Sequence, residues 1–221
     1  MNCLKPYERA DLQINRKIAA IVLGAGLSTR MNGYPKPLIK SDGRFFAEYI
    51  YDNLIKLDLS AFFFITGYKS KTVEKYLSCC SRFVFIYNEN YRLGQFSSLQ
   101  CGIQAAYNAD PEITNILITL ADTPFINQET YRLLMSAPPD KIIIPSYNNR
   151  AGHPVIIPRV IADKMLKAPV NSTAKKIINE HKYIIHYAIV DDPGIFNDYD
   201  NYETLNNINA EFIDDNDLLN N

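Results

Sequence analysis

Runs of consecutive apolar residues alternate along the chain with segments in which apolar residues recur every three or four positions. The uninterrupted runs predict buried β-strands over residues 18–23, 61–66, 82–87, 115–121, 141–145, 154–158 and 183–190. The periodic segments predict helices over residues 45–57, 70–77, 97–107, 127–135 and 171–180. Strands that are apolar throughout are typical of mostly parallel sheets with helices on both faces. The pattern therefore predicts an α/β fold, a three-layer αβα sandwich around a mostly parallel sheet.

Composition narrows the range of functions. The chain has 221 residues, which is enough for one large domain. Its 23 basic and 24 acidic residues leave a formal net charge of −1, which argues against a nucleic-acid binder with a general basic surface. Any site for an anionic ligand must therefore be local.

Cysteine spacing and hydropathy predict the compartment. The four cysteines lack the spacing of zinc ligands, so we expect buried thiols in a reducing environment. No apolar stretch approaches the ~20 residues that cross a bilayer, and residues 1–17 lack the apolar core of a signal peptide. We expect a cytoplasmic protein that binds neither a membrane nor a nucleic acid.

The first predicted strand runs into a loop, "VLGAGLSTRMNGYPKP" (22–37), that suits a polyphosphate. Three of the nine glycines lie in it, and glycines let backbone N–H groups approach an anion closely. Arg30 adds a planar fork of donors and Lys36 a point charge. The dinucleotide pattern G-x-G-x-x-G is excluded by Thr29, and the Walker-type G-K-[ST] is absent.

Six stretches, in order, resemble the nucleotidyltransferase family that includes the molybdenum cofactor cytidylyl- and guanylyltransferases. They are "LGAGLSTRM…PKPL", "FFFITGYKSKTVEKYL", "NENYRLGQFSSLQCGI", "LITLADTPFI", "AGHPVIIPR" and "PGIFNDYDNYETL". The resemblance implies a Rossmann-like sheet of the nucleotide-diphospho-sugar transferase type. It also divides the chain into an N-terminal extension (1–16), a nucleotidyltransferase domain (17–206) and a C-terminal tail or surface helix (207–221).

The same resemblance implies where the nucleotide binds. The triphosphate would meet the backbone of the first loop, with Arg30 and Lys36 as catalytic cations. Two further segments would complete the pocket. The full nucleotide-binding set is Leu23, Gly24, Ala25, Gly26, Ser28, Arg30, Lys36, Thr66, Gly67, Ser97, Ser98 and Leu99. Gly24 departs from the alanine that is usual in the family, and Asn32 departs from the usual glycine.

Acidic residues supply candidates for a magnesium site. Asp122 ends an apolar strand, where a carboxylate is costly unless it lies at the sheet edge or has a partner. Asp198 and Asp200 have the i, i+2 spacing that puts two side chains on one side of an extended segment. Transfer at an α-phosphate builds charge on phosphate oxygens, and Mg²⁺ prefers carboxylates plus phosphates. We predict Mg²⁺ as cofactor and Asp122 as a catalytic ligand, and the resemblance favours Asp198 or Asp200 as the second metal ligand.

The resemblance assigns His153 to the acceptor side, a packed loop histidine being the alternative. It implies transfer of NMP, CMP from CTP being favoured, to a phosphorylated acceptor of the molybdopterin type, with release of pyrophosphate. A molybdoenzyme or its chaperone is the implied protein partner. Two alternatives remain open: a sugar phosphate or phosphocholine as the acceptor, and a nucleotide-binding module without catalysis.

Overall fold

The structure, a computed structural model, describes residues 16–199 and 202–213. Its strands are β1 (Ile18–Leu23), β2 (Lys40–Ser41), β3 (Arg44–Phe45), β4 (Ala61–Thr66), β5 (Phe83–Tyr87), β6 (Asn115–Leu120), β7 (Ile142–Tyr147), β8 (Arg150–Ala151), β9 (Val155–Pro158) and β10 (Ile185–Ile189). Its α-helices are α1 (Phe46–Leu54), α2 (Ser70–Tyr76), α3 (Gln95–Ala109), α4 (Gln128–Ser136), α5 (Arg159–Lys167), α6 (Ala174–Glu180) and α7 (Tyr202–Asn206).

One mixed sheet forms the centre of the molecule, with strand order β10-β7-β9-β6-β1-β4-β5. Strand β1 pairs in parallel with β4 and β6, and β4 pairs in parallel with β5. Strand β9 runs antiparallel to both of its neighbours, β6 and β7. The prediction of a mostly parallel sheet is confirmed. The direction of β9 was not predictable, because an apolar run such as "PVIIP" looks the same whichever way the strand runs.

Two hydrophobic cores lie on opposite faces of the sheet, which confirms the three layers. In β1, Ala20 and Val22 point into one core while Ala19 and Ile21 point into the other. Helices α1, α2, α4 and α7 contribute buried residues to the first core, and α3, α5 and α6 to the second. Because both faces of the central strands are covered, these strands have no polar face, as their sequences indicate.

Most predicted elements are present, with differences at their ends. Helix α5 was not predicted; it follows β9 directly, and Pro158 at its N-cap offers no side-chain acceptor. Helix α2 begins at Ser70, as predicted, and Lys69 occupies its N-cap position at φ 53°. The predicted helix over 171–180 begins only after Thr173, whose side chain accepts from the backbone N–H of Lys176.

The chain ends are covered in part. Residues 1–15 of the predicted extension and 214–221 of the predicted tail lie outside the described residues. Of the two alternatives for the tail, the described part favours a non-helical segment, because 207–213 contains no helix. Within the described ranges no helix is both long enough and apolar enough to cross a membrane.

Candidate active site

A cavity of about 420 Å³ opens at the edge where the carboxyl ends of β1 and β6 meet. In parallel sheets this edge is where loops converge and ligands bind. Three parts of the chain form its walls: the loop after β1, the residues after β6, and the segment that leads into α3. The residues on the walls that the sequence nominates are Leu23, Gly24, Ala25, Gly26, Ser28, Arg30, Lys36, Ser98 and Asp122.

The loop after β1 presents backbone donors to the cavity. The N–H of Gly24 still pairs with the carbonyl of Ile65 at 3.0 Å, as if β1 continued by one residue. The N–H groups of Gly26, Leu27 and Ser28 have no acceptor among the described residues. Since these residues line the cavity, their N–H groups are available to an anion there.

Close packing explains two glycines at this edge. A Cβ on Gly24 would lie 2.5 Å from Cε1 of Phe64, so the phenylalanine ring of β4 occupies the space an alanine methyl group would need. A Cβ on Gly67 would lie 2.6 Å from Cβ of Tyr91 and 2.7 Å from the carbonyl oxygen of Ala25. Gly67 therefore lets the first loop and the wall that carries Tyr91 pack against each other.

Lys36 and Asp122 form an ion pair on the cavity wall. Nζ of Lys36 lies 2.7 Å from Oδ2 of Asp122, and both side chains are about one-fifth exposed. Lys36 begins a short 3₁₀ turn, and Asp122 comes two residues after β6. The other carboxylate oxygen, Oδ1, is buried and has no hydrogen-bond partner among the described residues. A buried carboxylate oxygen without a partner is costly, so Oδ1 marks a position for a donor or a cation that the described residues do not supply.

The third wall contains four residues that the sequence analysis did not nominate: Tyr91, Arg92, Gly94 and Gln95. Nε of Arg92 donates to the Tyr91 hydroxyl at 3.4 Å, and the guanidinium lies 5.7 Å from the centre of that ring. Gly94 has φ 101° and stands at the N-cap of α3. The sequence does contain a signal for this wall: in "NENYRLGQFSSLQCGI" an aromatic residue and a cation precede a glycine and a serine pair.

A buried polar network holds this wall in place. Nδ2 of Asn88 lies 3.0 Å from the hydroxyl oxygens of both Ser97 and Ser98. The Ser97 hydroxyl also contacts the carbonyls of Asn90, at 2.9 Å, and Gly94, at 2.8 Å. Ser97 is thus fully engaged within the wall, whereas Ser98 reaches the cavity surface.

Four residues of the nominated nucleotide-binding set do not line the cavity: Thr66, Gly67, Ser97 and Leu99. Thr66 is buried, and its hydroxyl contacts Glu74 at 3.3 Å and the carbonyl of Ile86 at 3.4 Å. Leu99 packs in the core between α3 and the sheet. In this structure these residues support the walls, and their direct contact with a nucleotide remains a prediction.

His153 lies next to this site but off the cavity wall. Its Nδ1 is buried with no partner among the described residues, and its backbone N–H donates to the carbonyl of Ile195 at 2.7 Å. Burial lowers the pKa of the imidazole, although the carbonyl of Ile118 and the charge of Asp122 oppose that shift. The ring is therefore neutral at pH 7, and an unpaired nitrogen remains near Asp122.

The remaining acidic candidates differ in position. Asp198 is exposed and does not line the cavity, but the N–H of Tyr199 donates to the carbonyl of Asp122 at 3.0 Å. That bond brings the segment of Asp198 alongside the end of β6. Asp200 lies outside the described residues. Within 16–199 and 202–213, no three His, Cys, Asp or Glu side chains form a metal-binding group.

The sequence and the fold resemble those of known proteins. The chain is 25% identical to molybdenum cofactor cytidylyltransferase from Escherichia coli over 155 residues, which are 69% of this chain and 76% of the relative. A nucleotidyl transferase from Methanothermobacter superimposes with a TM-score of 0.72 at 18% identity, covering 93% of this chain and 99% of that one. Rv0371c from Mycobacterium tuberculosis, solved in complex with manganese, has a TM-score of 0.70 at 19% identity, covering 87% and 97%.

A family model settles the wider classification. The model of the MobA-like NTP transferase domain matches residues 20–184, which include the glycine loop, the segment before α3 and the carboxylate after β6. The match covers most of the chain and all three walls of the cavity. The chain therefore belongs to the family of MobA-like NTP transferase domains and is a nucleotidyltransferase.

Proposed function

We propose that this protein transfers CMP from CTP to a phosphorylated small molecule of the molybdopterin type and releases pyrophosphate. The observation that carries the proposal is the Lys36–Asp122 pair, which lines the same cavity as the unpaired N–H groups of the glycine loop. Donors for a triphosphate and a carboxylate for a cation thus share one cavity. The proposed catalytic domain spans residues 17–206.

The glycine loop would bind the triphosphate. The N–H groups of Gly26, Leu27 and Ser28 would donate to phosphate oxygens, and Arg30 and Lys36 would add positive charge. An oxygen of the acceptor phosphate attacks the α-phosphorus, and the bond from that phosphorus to the β-phosphate bridging oxygen breaks. Negative charge grows on the departing pyrophosphate, so preplaced donors lower the barrier by stabilising it.

A divalent cation fits the carboxylate of Asp122. Oδ2 is held by Lys36, while the buried Oδ1 has no partner among the described residues. Mg²⁺ is commonly held by one or two carboxylates together with substrate phosphates, so one protein ligand with a second from Asp198 or Asp200 would suffice. When bound, the cation would neutralise charge on the phosphates during transfer. A similar structure contains manganese, which supports a divalent metal here.

The third wall would bind the base. Tyr91 offers an aromatic face, and Arg92 and Gln95 offer hydrogen bonds. A guanidinium only donates, so it suits neighbouring acceptors such as O2 and N3 of cytosine or O6 and N7 of guanine. Adenine places an amino donor beside both N1 and N7, which disfavours ATP. Among the bases that remain, cytosine is supported by the name of the cytidylyltransferase relative.

The acceptor would bind beyond Asp122, on the side of His153. The neutral imidazole keeps an unpaired buried nitrogen there, which could accept a hydrogen bond from the acceptor. The name of the same relative, molybdenum cofactor cytidylyltransferase, supports a molybdopterin-type acceptor. A molybdoenzyme or its chaperone would be the receiving protein. The proposed location is the cytoplasm.

The test measures pyrophosphate release from CTP, GTP, UTP and ATP, each with and without Mg²⁺. Each nucleotide is offered with molybdopterin, a hexose 1-phosphate or phosphocholine. The proposal expects metal-dependent release with CTP and molybdopterin, and much less in Lys36→Ala. Turnover only with another acceptor would overturn the acceptor assignment but keep the chemistry. If the protein binds a nucleotide but releases no pyrophosphate with any of the acceptors, the non-catalytic alternative is favoured.

A further inference from the structure

The described end of the chain packs on the segment that carries Lys36. Residues 208–213, here called the C-terminal strap, follow α7 and run along the β2–β3 hairpin. Lys40 and Glu211 exchange two backbone hydrogen bonds of 3.0 Å each. The hydroxyl of Ser41 donates to the carbonyl of Ile208 at 3.3 Å. The strap thereby adds a short antiparallel partner to the hairpin.

Tyr34 connects the strap to the turn of the catalytic lysine. Its hydroxyl accepts from the backbone N–H of Ile213 at 2.7 Å and donates to the carbonyl of Leu38 at 3.1 Å. The ring of Phe212 meets the ring of Tyr34 edge to face, with centroids 4.9 Å apart. Tyr34 itself is buried, so the hydroxyl works in a setting where a lost partner is costly.

Leu38 closes the 3₁₀ turn that begins at Lys36. Backbone bonds within this turn run from the N–H of Leu38 to the carbonyl of Pro35 and from the N–H of Ile39 to the carbonyl of Lys36. The Tyr34 hydroxyl holds the far end of the turn, and the ion pair with Asp122 holds its start. The strap lies outside the residues that the family model matches, 20–184.

We propose that the C-terminal strap is a positioning element for catalysis, in which Tyr34, anchored by Ile213, holds the turn that sets Lys36 against Asp122. Tyr34 is a positioning residue that acts through Lys36. The inference rests on the proposed role of Lys36 as a triphosphate ligand. It predicts that the hydroxyl of a tyrosine outside the cavity affects how tightly the cavity holds phosphate.

The first experiment needs no ligand. Amide hydrogen exchange is compared in full-length wild type, Tyr34→Phe and the control Tyr51→Phe, whose hydroxyl contacts Ser81 and Arg82 instead. We expect the amides of Leu38 and Ile39 to exchange about fivefold faster in Tyr34→Phe than in the control. Unchanged exchange at those two amides would overturn the claim that Tyr34 holds the turn.

The second experiment separates positioning from general stability. The dissociation constant of magnesium tripolyphosphate is measured in a double-mutant cycle of Tyr34→Phe and Lys36→Ala. We expect Tyr34→Phe to weaken binding about fivefold when Lys36 is present and not at all when Lys36 is replaced. Equal weakening in both backgrounds would overturn the inference, because the effect would not pass through Lys36. No binding to wild type would refute the proposed phosphate site, while the exchange data would still report on the strap.

Discussion

Nζ of Lys36 lies 2.7 Å from Oδ2 of Asp122, although 86 positions separate the two residues in the chain. The pair joins the glycine loop after β1 to the end of β6, the two strands that lie side by side in the centre of the sheet. Lys36 neutralises one side of the carboxylate and leaves the buried Oδ1 for a ligand. Most of the expected chemistry depends on this arrangement.

Asp122→Asn should reduce turnover by a factor of about 100 or more and remove its dependence on magnesium. The amide keeps the size of the side chain but loses the charge that would hold the cation. Pyrophosphate release measured against Mg²⁺ concentration tests this. Asp140→Asn, at an exposed aspartate that pairs with Lys141, is the matched control. Wild-type turnover in Asp122→Asn would remove this residue from the site.

Arg92→Ala should weaken CTP binding about tenfold and leave tripolyphosphate binding unchanged. The reason is that Arg92 lies on the wall proposed for the base, and a charge-assisted hydrogen bond contributes about 1.5–3 kcal/mol. Calorimetric titration with both ligands measures the difference. Arg82→Ala, whose guanidinium packs on Phe62 away from the cavity, is the control. Equal weakening of both ligands would instead place Arg92 at the phosphates.

Gly24→Ala should destabilise the protein by about 1–3 kcal/mol, because its methyl group would meet the ring of Phe64 at 2.5 Å. The double variant Gly24→Ala/Phe64→Leu should recover part of that loss, since leucine lacks the ring atoms that clash. Denaturant unfolding measures both. Gly26→Ala is the control, because a Cβ there meets nothing within 4 Å. A cost in Gly26→Ala as large as in Gly24→Ala would refute the steric explanation.

His153 should make the protein less stable as the pH falls from about 7 through 6.5. Burial lowers its pKa in the folded state below the unfolded value of 6.5, so the unfolded state binds more protons in that range. Stability is therefore retained above the unfolded pKa and lost as the pH drops toward the folded one. His153→Gln should flatten this dependence.

The measurement is denaturant unfolding between pH 5 and pH 8 in the presence of a chelator. His186→Gln, at an exposed histidine of β10, serves as the control. The slope for one histidine is at most about 1.4 kcal/mol per pH unit. An identical slope in wild type and His153→Gln would show that the folded and unfolded states bind the His153 proton equally.

Local patterns were enough to predict most elements and the layer arrangement. The run over 61–66 coincides with β4, because consecutive apolar residues in a buried strand need no information from elsewhere. Helix α5 was not predicted, because the last residue of β9, Pro158, is also the N-cap of the helix and provides no polar side chain to mark its start. The hairpin of β2 and β3 also escaped, since two-residue strands carry no periodicity.

The candidate site, too, contains some features that local sequence predicts and others that it does not. The chemistry of the loop over 22–37 could be predicted from local sequence, since glycines, Arg30 and Lys36 lie close together in the chain. The third wall could not be recognised in this way, because Tyr91 and Arg92 reach the cavity only when Gly67 lets their segment pack against the loop. Thr66 and Leu99 lie in stretches that resemble the family's motifs, yet both side chains are buried and support the cavity walls.

By itself the sequence determined the αβα layers, and it predicted a phosphate-binding first loop and a metal-binding carboxylate after β6. These features follow from short-range periodicity and from side-chain chemistry. Only the tertiary structure decided that β9 runs antiparallel, that Lys36 pairs with Asp122, and that residues 208–213 contact Tyr34. Such contacts join residues far apart in the chain, and their geometry depends on how the whole core packs.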